Sequence, residues 1–210
     1  MDCHQSIHKS INYQFGQAMT LTAVLFVGGL SRRMGTNKAN IEIGGQPLWA
    51  KQVNLLRELR PQSLWVSART RPAWCPPEIG LVLDAPPSRG PLSGLVAALR
   101  QLQTSHLIAL AIDLPLMTSE VLEKLWAMAQ PGRGIIPING EAFEPLCAIY
   151  PAEAAAPAAS ALTGTDFSLQ TLAQLLLQTH CVKPYPIGEG EKRLFFNVNS
   201  PADLQSLPPA

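Results

Sequence analysis

The residue types best suited to chemistry cluster in Gly28-Gly29-Leu30-Ser31-Arg32-Arg33-Met34-Gly35-Thr36-Asn37-Lys38, directly after the apolar run Leu21 to Val27. Glycine after a strand tolerates positive φ and lets a ligand approach the backbone closely. Successive amide N–H groups in such a turn form a concavity that suits an anion. Arg32, Arg33 and Lys38 add positive charge. The combination reads as a triphosphate-binding loop. It has neither the G-x-G-x-x-G spacing nor the G-K-[ST] ending of the two common glycine motifs. A strand–turn–helix connection with solvated basic side chains is the competing reading.

Two carboxylates end apolar runs. Asp113 follows His106–Ile112 and precedes Leu114-Pro115. Open α/β sheets bind ligands at the carboxyl ends of their strands, and magnesium takes one or two protein carboxylates with phosphate and water. Asp113 therefore reads as a Mg²⁺ ligand, against the alternative of a turn or capping aspartate. Asp84 ends Leu81–Leu83 and precedes Ala85-Pro86-Pro87. An ionised carboxylate only accepts hydrogen bonds, so it suits the adjacent N1–H and amino donors of guanine; a plain turn aspartate is the alternative. Ser88-Arg89-Gly90-Pro91-Leu92-Ser93-Gly94 leads into a helix whose first N–H groups face outward. Gly90 and Gly94 there permit close approach to a base or ribose. Near the end, Asn197 and Asn199 alternate along a predicted strand and so share one side. Ser200 reads as the cap of a helix that opens on Pro201.

Those residues need a scaffold of short apolar strands alternating with amphipathic helices. Strands are expected at Leu21–Val27, Ser63–Ala68, Gly80–Leu83, His106–Ile112, Ile135–Ile138, Leu146–Tyr150 and Val182–Pro186. Ile41–Ile43 with Gly44-Gly45 reads as a short hairpin. Helices are expected from Pro47 to Leu59, Gly90 to Leu102, Ser119 (as cap) to Gln130, Ser168 to Gln178 and Ser200 to Leu207. The alanine-rich stretch Ala152–Ala161 is expected to break or begin at Pro157. This alternation predicts right-handed βαβ units in an α/β domain with a mostly parallel sheet.

The chain has 210 residues, net charge +1, 47% hydrophobic and 15% charged residues. That size accommodates one domain, expected over residues 21–207, with residues 1–20 as a disordered polar extension and Met19 as a second candidate start. The near-zero charge gives no field for nucleic acid or an anionic membrane. No apolar run reaches the roughly 20 residues of a membrane span, and no signal-peptide core is present. Cys3, Cys75, Cys147 and Cys181 form no C-x-x-C pair, which fits a reducing, cytoplasmic setting.

Gly28-Gly29-x-Ser31-x-Arg33-Met34-Gly35-x-x-Lys38 resembles the signature loop of the Rossmann-like nucleotidyltransferases, and most of all that of the molybdenum cofactor guanylyltransferases (MobA family). Val27 stands where that loop usually has alanine, and Asn37 where it has aspartate. The segment x-x-Gly90-Pro91-Leu92-x-Gly94 and the stretch Asn197-Val198-Asn199-Ser200-Pro201-Ala202-Asp203-Leu204 are similar to two further motifs, in the same order. The resemblance implies a three-layer Rossmann-like sandwich and transfer of GMP from GTP to the phosphate of molybdenum-bound molybdopterin, forming the guanine dinucleotide cofactor and releasing pyrophosphate. It implies catalytic roles for Lys38, Arg33 and Asp113, and nucleotide contacts from Phe26, Val27, Gly28, Gly29, Lys38, Ser67, Asp84, Gly94 and Asp113. Asn197 and Asn199 would face the acceptor, Asp113 would hold Mg²⁺, and transient contacts with other cofactor-synthesis or recipient proteins would follow. A CTP-using transferase of the same fold and a catalytically silent nucleotide binder are the alternatives.

Overall fold

The computed structural model describes residues 18–28, 38–84 and 87–207. The chain opens on β1 (Leu21–Phe26), whose six residues are all buried. A strand covered on both faces must be apolar nearly throughout. Its single hydroxyl, on Thr22, pairs with that of Thr104 at 2.9 Å. A short hairpin of β2 (Glu42–Ile43) and β3 (Gln46–Pro47) leads into α1 (Leu48–Glu58). Then come β4 (Ser63–Ala68), β5 (Gly80–Leu83), α2 (Pro91–Gln101) and β6 (His106–Ala111). The second half holds α3 (Ser119–Met128), β7 (Gly134–Asn139), β8 (Ala142–Phe143), β9 (Cys147–Pro151) and α4 (Ala155–Ala161). It closes with α5 (Leu169–Gln178), β10 (Val182–Pro186) and α6 (Pro201–Gln205).

Seven strands lie in the order β10-β7-β9-β6-β1-β4-β5, and β8 pairs with β7. β1 is parallel to both its neighbours, β4 and β6, and β5 is parallel to β4. β9 runs antiparallel to β6 and β7, while β10 is parallel to β7. The sheet is therefore mostly parallel, as the alternating pattern implied.

Period-two alternation splits the core between the two faces. Leu21, Ala23, Leu25, Ile108 and Leu110 join one buried cluster with Leu48, Leu56, Leu122 and Leu125 of α1 and α3. Val24, Phe26, Leu107 and Ala109 join a second with Leu92, Leu95, Ala158, Leu172 and Leu176 of α2, α4 and α5. Helices thus cover both faces, giving three layers. No helix among the described residues is long and apolar enough to cross a membrane.

Four local expectations change. Thr118, not Ser119, is the N-cap of α3, because Ser119 has already turned helical. Pro157 does not break the alanine-rich stretch: Ala152–Ala154 form a 3₁₀ turn and α4 follows, with Pro157 in its first turn. A missing N–H there leaves no intrahelical bond unmade. Asn197 and Asn199 belong to no strand. Val198 between them is buried and donates its N–H to the Asp113 carbonyl at 2.9 Å, so a single backbone bond replaces the expected ladder. Thr20, placed in the expected extension, is tied to Ser105 through both its amide and its hydroxyl.

Leu25 is completely buried on the central strand. Leu25→Ala should lower unfolding free energy by about 3 kcal/mol, the middle of the range for leucine truncation in a core. Urea denaturation should show a lower midpoint at unchanged slope.

Candidate active site

Because β1, β4, β5 and β6 are mutually parallel, their carboxyl ends share one edge of the sheet. Four segments meet there: Phe26-Val27-Gly28 after β1, Ser67 in β4, Asp84 after β5 and Asp113 after β6. The chain leaves β1 for β4 on one side and later returns as β6 on the other. That reversal opens a crevice at the end of β1. Backbone bonds hold its rim: Val27 N–H donates to the Ser67 carbonyl at 3.1 Å and Ile112 N–H to the Phe26 carbonyl at 3.0 Å. Val27 packs its side chain against the core, which accounts for a larger residue at this place.

The crevice has two compartments. The larger encloses about 450 Å³ and is lined by Lys38, Asp113, Glu144, Asn197 and Asn199 among others. The smaller, about 100 Å³, is lined by Ser67, Arg69, Asp84, Ser88, Gly90 and Gly94. Phe26, Gly28, Pro91 and Leu146 border both, so the two spaces adjoin.

In the larger compartment the Lys38 ammonium lies 3.2 Å from Asp113 Oδ2 and donates to Asn199 Oδ1 at 2.8 Å. The Lys38 and Asp113 side chains are only 17% and 23% exposed. Their attraction is therefore screened less than that of a surface pair. Gln52 of α1, fully buried, donates through Nε2 to the Leu114 carbonyl at 2.6 Å and so braces the turn that carries Asp113. The carboxylate and amide oxygens already gather around one cation, and oxygen donors of this kind suit a hard divalent ion. Among the described residues no three His, Cys, Asp or Glu side chains form a metal cluster. An ion here would complete its shell from water and phosphate.

In the smaller compartment Asp84 accepts from the Ser88 hydroxyl at 3.3 Å. Burial holds its carboxyl above the usual range, while the Ser88 bond and the Arg69 charge pull it back. α2 starts on Gly90 at φ 68°, ψ −150°, a combination essentially confined to glycine. No side chain caps this helix and Pro91 is its first residue. Gly94, one turn in, is where backbone and side chains come closest. A Cβ there would sit 2.5 Å from Ser67 Oγ and 2.9 Å from Asp84 Oδ1.

The structure thus brings Phe26, Val27, Gly28, Lys38, Ser67, Asp84, Gly94, Asp113, Asn197 and Asn199 to one crevice. Gly29 and Arg33 lie outside the described residues. Glu144 and Gln52 are site residues that the motifs miss. Glu144 faces the larger compartment from the turn before β9, and burial, reinforced by the charge of Asp113, pushes its carboxyl up to about 7. An acid wedged between Phe143 and Pro145-Leu146 was its only mark in the sequence. For Gln52 the mark was an amide four residues from both Leu48 and Leu56, on the apolar face of α1.

A mostly parallel sheet with this strand reversal, and a basic and acidic pair at its edge, defines a nucleotidyltransferase of the Rossmann-like type. The fold matches that of a nucleotidyl transferase from Methanothermobacter thermautotrophicus, with a TM-score of 0.70, 15% identity and coverage of 89% of this chain and 95% of that one. More particularly, the MobA-like NTP transferase domain matches residues 23–181, and the chain belongs to that family. A probable molybdenum cofactor guanylyltransferase of Opitutus terrae is 30% identical over 189 residues, covering 89% of this chain and 94% of the relative. The crystal structure of molybdopterin-guanine dinucleotide biosynthesis protein A from Archaeoglobus fulgidus has a TM-score of 0.66 at 26% identity, over 88% of this chain and 95% of that one.

A Glu144 carboxyl raised from 4.5 to about 7 makes folding favour the protonated form. The folded protein then keeps a proton that the unfolded chain has released, so stability falls as pH rises from about 4.5 to 7. Glu144→Gln removes this loss. Its melting temperature, relative to the parent, should rise from pH 5 to pH 8; a difference that stays flat would show Glu144 well solvated.

Proposed function

We propose that this enzyme transfers GMP from GTP to the terminal phosphate of molybdopterin. The observation that carries the reading is the meeting of Lys38, Asp113 and Asn199 in the larger compartment, which adjoins the smaller one. The family, and the guanylyltransferase names of relatives spanning nearly the whole chain, support the same reading. Guanine rather than cytosine fits Asp84, an acceptor-only group in the small compartment.

In the reaction an acceptor phosphate oxygen forms a bond to the α-phosphorus of GTP. The bond from that phosphorus to the bridging oxygen breaks and pyrophosphate leaves with the electron pair. The acceptor is already anionic, so no residue has to remove a proton. The chain supplies alignment and charge neutralisation, the main demands of phosphoryl chemistry. Lys38 would bind triphosphate oxygens, with Gly28, Gly29 and Arg33 of the glycine loop alongside. Ser67, Asp84 and Gly94 would hold the nucleoside against Phe26 and Val27. Asn197 and Asn199 would orient the acceptor.

A divalent ion, Mg²⁺ in this reading, would sit on Asp113 with Asn199 and offset negative charge on the phosphates. In its place the ammonium of Lys38 now lies between those two oxygens.

Pyrophosphate release measured with molybdopterin and either GTP or CTP tests the proposal. Turnover with GTP and none with CTP is expected; the reverse would make this a cytidylyltransferase, and no release with either would make it a silent binder. Asp113→Ala should lower turnover by on the order of 10²-fold or more, as for other preorganised electrostatic groups, with unchanged circular dichroism. Gly94→Ala should weaken GTP binding by on the order of tenfold, about 1.4 kcal/mol, because the new methyl displaces Ser67 and Asp84. Isothermal titration with GTP would read that change.

A further inference from the structure

Glu144 has no task in the reaction as written, yet its placement is specific. The Glu144 amide donates to the Pro137 carbonyl at 2.9 Å, and its carbonyl accepts from Cys147 N–H at 3.0 Å. Both ends of its backbone are therefore held while its side chain lines the larger compartment. Among the described residues, no hydrogen bond or ion pair engages that carboxylate. A half-buried carboxylate without a partner loses part of its hydration, and one that lines a binding cavity is relieved when a ligand brings donors to it.

The surroundings define the kind of ligand. Phe143, Leu146, Leu169 and Pro91 line the same compartment and are apolar. The nearby amide of Gln170 is already spent, donating to the Phe143 carbonyl and accepting from the Phe143 amide, both at 2.9 Å. Among the described residues, this wall thus offers apolar surface and the Glu144 carboxyl, which in its ionised form accepts from a ligand's donors. A flat heterocycle with two adjacent N–H donors fits that combination. Asp84 presents the same chemistry in the other compartment. The two halves of the product of the proposed reaction share one ring edge, the 2-amino-4-oxo-pyrimidine edge of guanine and of a pterin.

We infer that Glu144 is the specificity-determining residue of the acceptor side, receiving the amino and ring N–H donors of the pterin as Asp84 receives those of guanine. The inference rests on the guanylyl-transfer reading. It assigns one carboxylate to each heterocycle, with Lys38 and Asp113 between them at the phosphates. A second divalent-ion ligand beside Asp113 is the competing role for Glu144, and the two differ in what they move.

Neopterin fluorescence titration of the full chain, with the lumazine that bears the same trihydroxypropyl side chain as the isostere carrying an oxygen in place of the amino group, provides the test. The parent should bind neopterin at least tenfold more tightly than lumazine. Glu144→Gln should lose most of that preference. It should also raise KM for molybdopterin by tenfold or more while leaving KM for GTP and the Mg²⁺ concentration for half-maximal rate within twofold. An undiminished neopterin preference in Glu144→Gln, or a shifted Mg²⁺ requirement, overturns the inference. A parent that does not discriminate neopterin from lumazine overturns it too. The guanylyl-transfer reading is tested apart from this by GTP-over-CTP use in the parent, and stands or falls on that alone.

Discussion

Everything at the active edge follows from β6 lying beside β1 on the side opposite β4. Parallel pairing on both sides of β1 aims three further strand ends at the same edge. The reversal of chain direction leaves the end of β1 without a neighbour crossing over it, so backbone and side chains there stay open to a ligand. The Thr22–Thr104 hydroxyl pair and the unbroken apolar runs hold the strands at their buried end. Cohesion and chemistry thus occupy opposite ends of the same elements.

Among the described residues, the crevice sets the cations Lys38 and Arg69 against the carboxylates Asp84, Asp113 and Glu144. Lys38 faces Asp113, while Asp84 and Glu144 are each more protonated than in water because burial penalises their charge. A nucleotide would bring negative phosphates toward Lys38 and positive-edged N–H groups toward the carboxylates. Each part of the substrate thereby finds the charge it needs without a strong overall field, in keeping with a net charge of only +1.

Much of this was legible in the residues. The strands at Ser63–Ala68, Gly80–Leu83 and Val182–Pro186 have the bounds their composition implied, because short apolar runs between glycine, proline and polar residues leave little freedom. The placement of Asp84 and Asp113 followed from where those runs stop. Less legible were features that depend on distant partners. Asn197 and Asn199 share a side as alternation requires, but tertiary anchoring of Val198 to Asp113 does the work a strand was expected to do. The helical continuity at Pro157 depends on which turn the proline occupies, and composition does not reveal that. Glu144 and Gln52 are single polar residues in apolar settings, and only the fold tells a brace or a recognition group from a surface side chain.

The bond from Val198 to Asp113, and that from Lys38 to Asn199 across 161 positions of sequence, leave the crevice incomplete until residues 197–199 have been made. Sheet strands β1, β4, β5 and β6 can pair once the first half has emerged from the ribosome, and the small compartment then lacks, among its described lining residues, Leu146. The cation-binding corner is also incomplete. A chain still lacking residues 197–199 has, among the described residues, Asp113 but not Asn199 to steady Lys38. The assembly order built into the topology therefore keeps nascent protein from bringing Asn199 to Lys38 and Asp113 until residues 197–199 have been made.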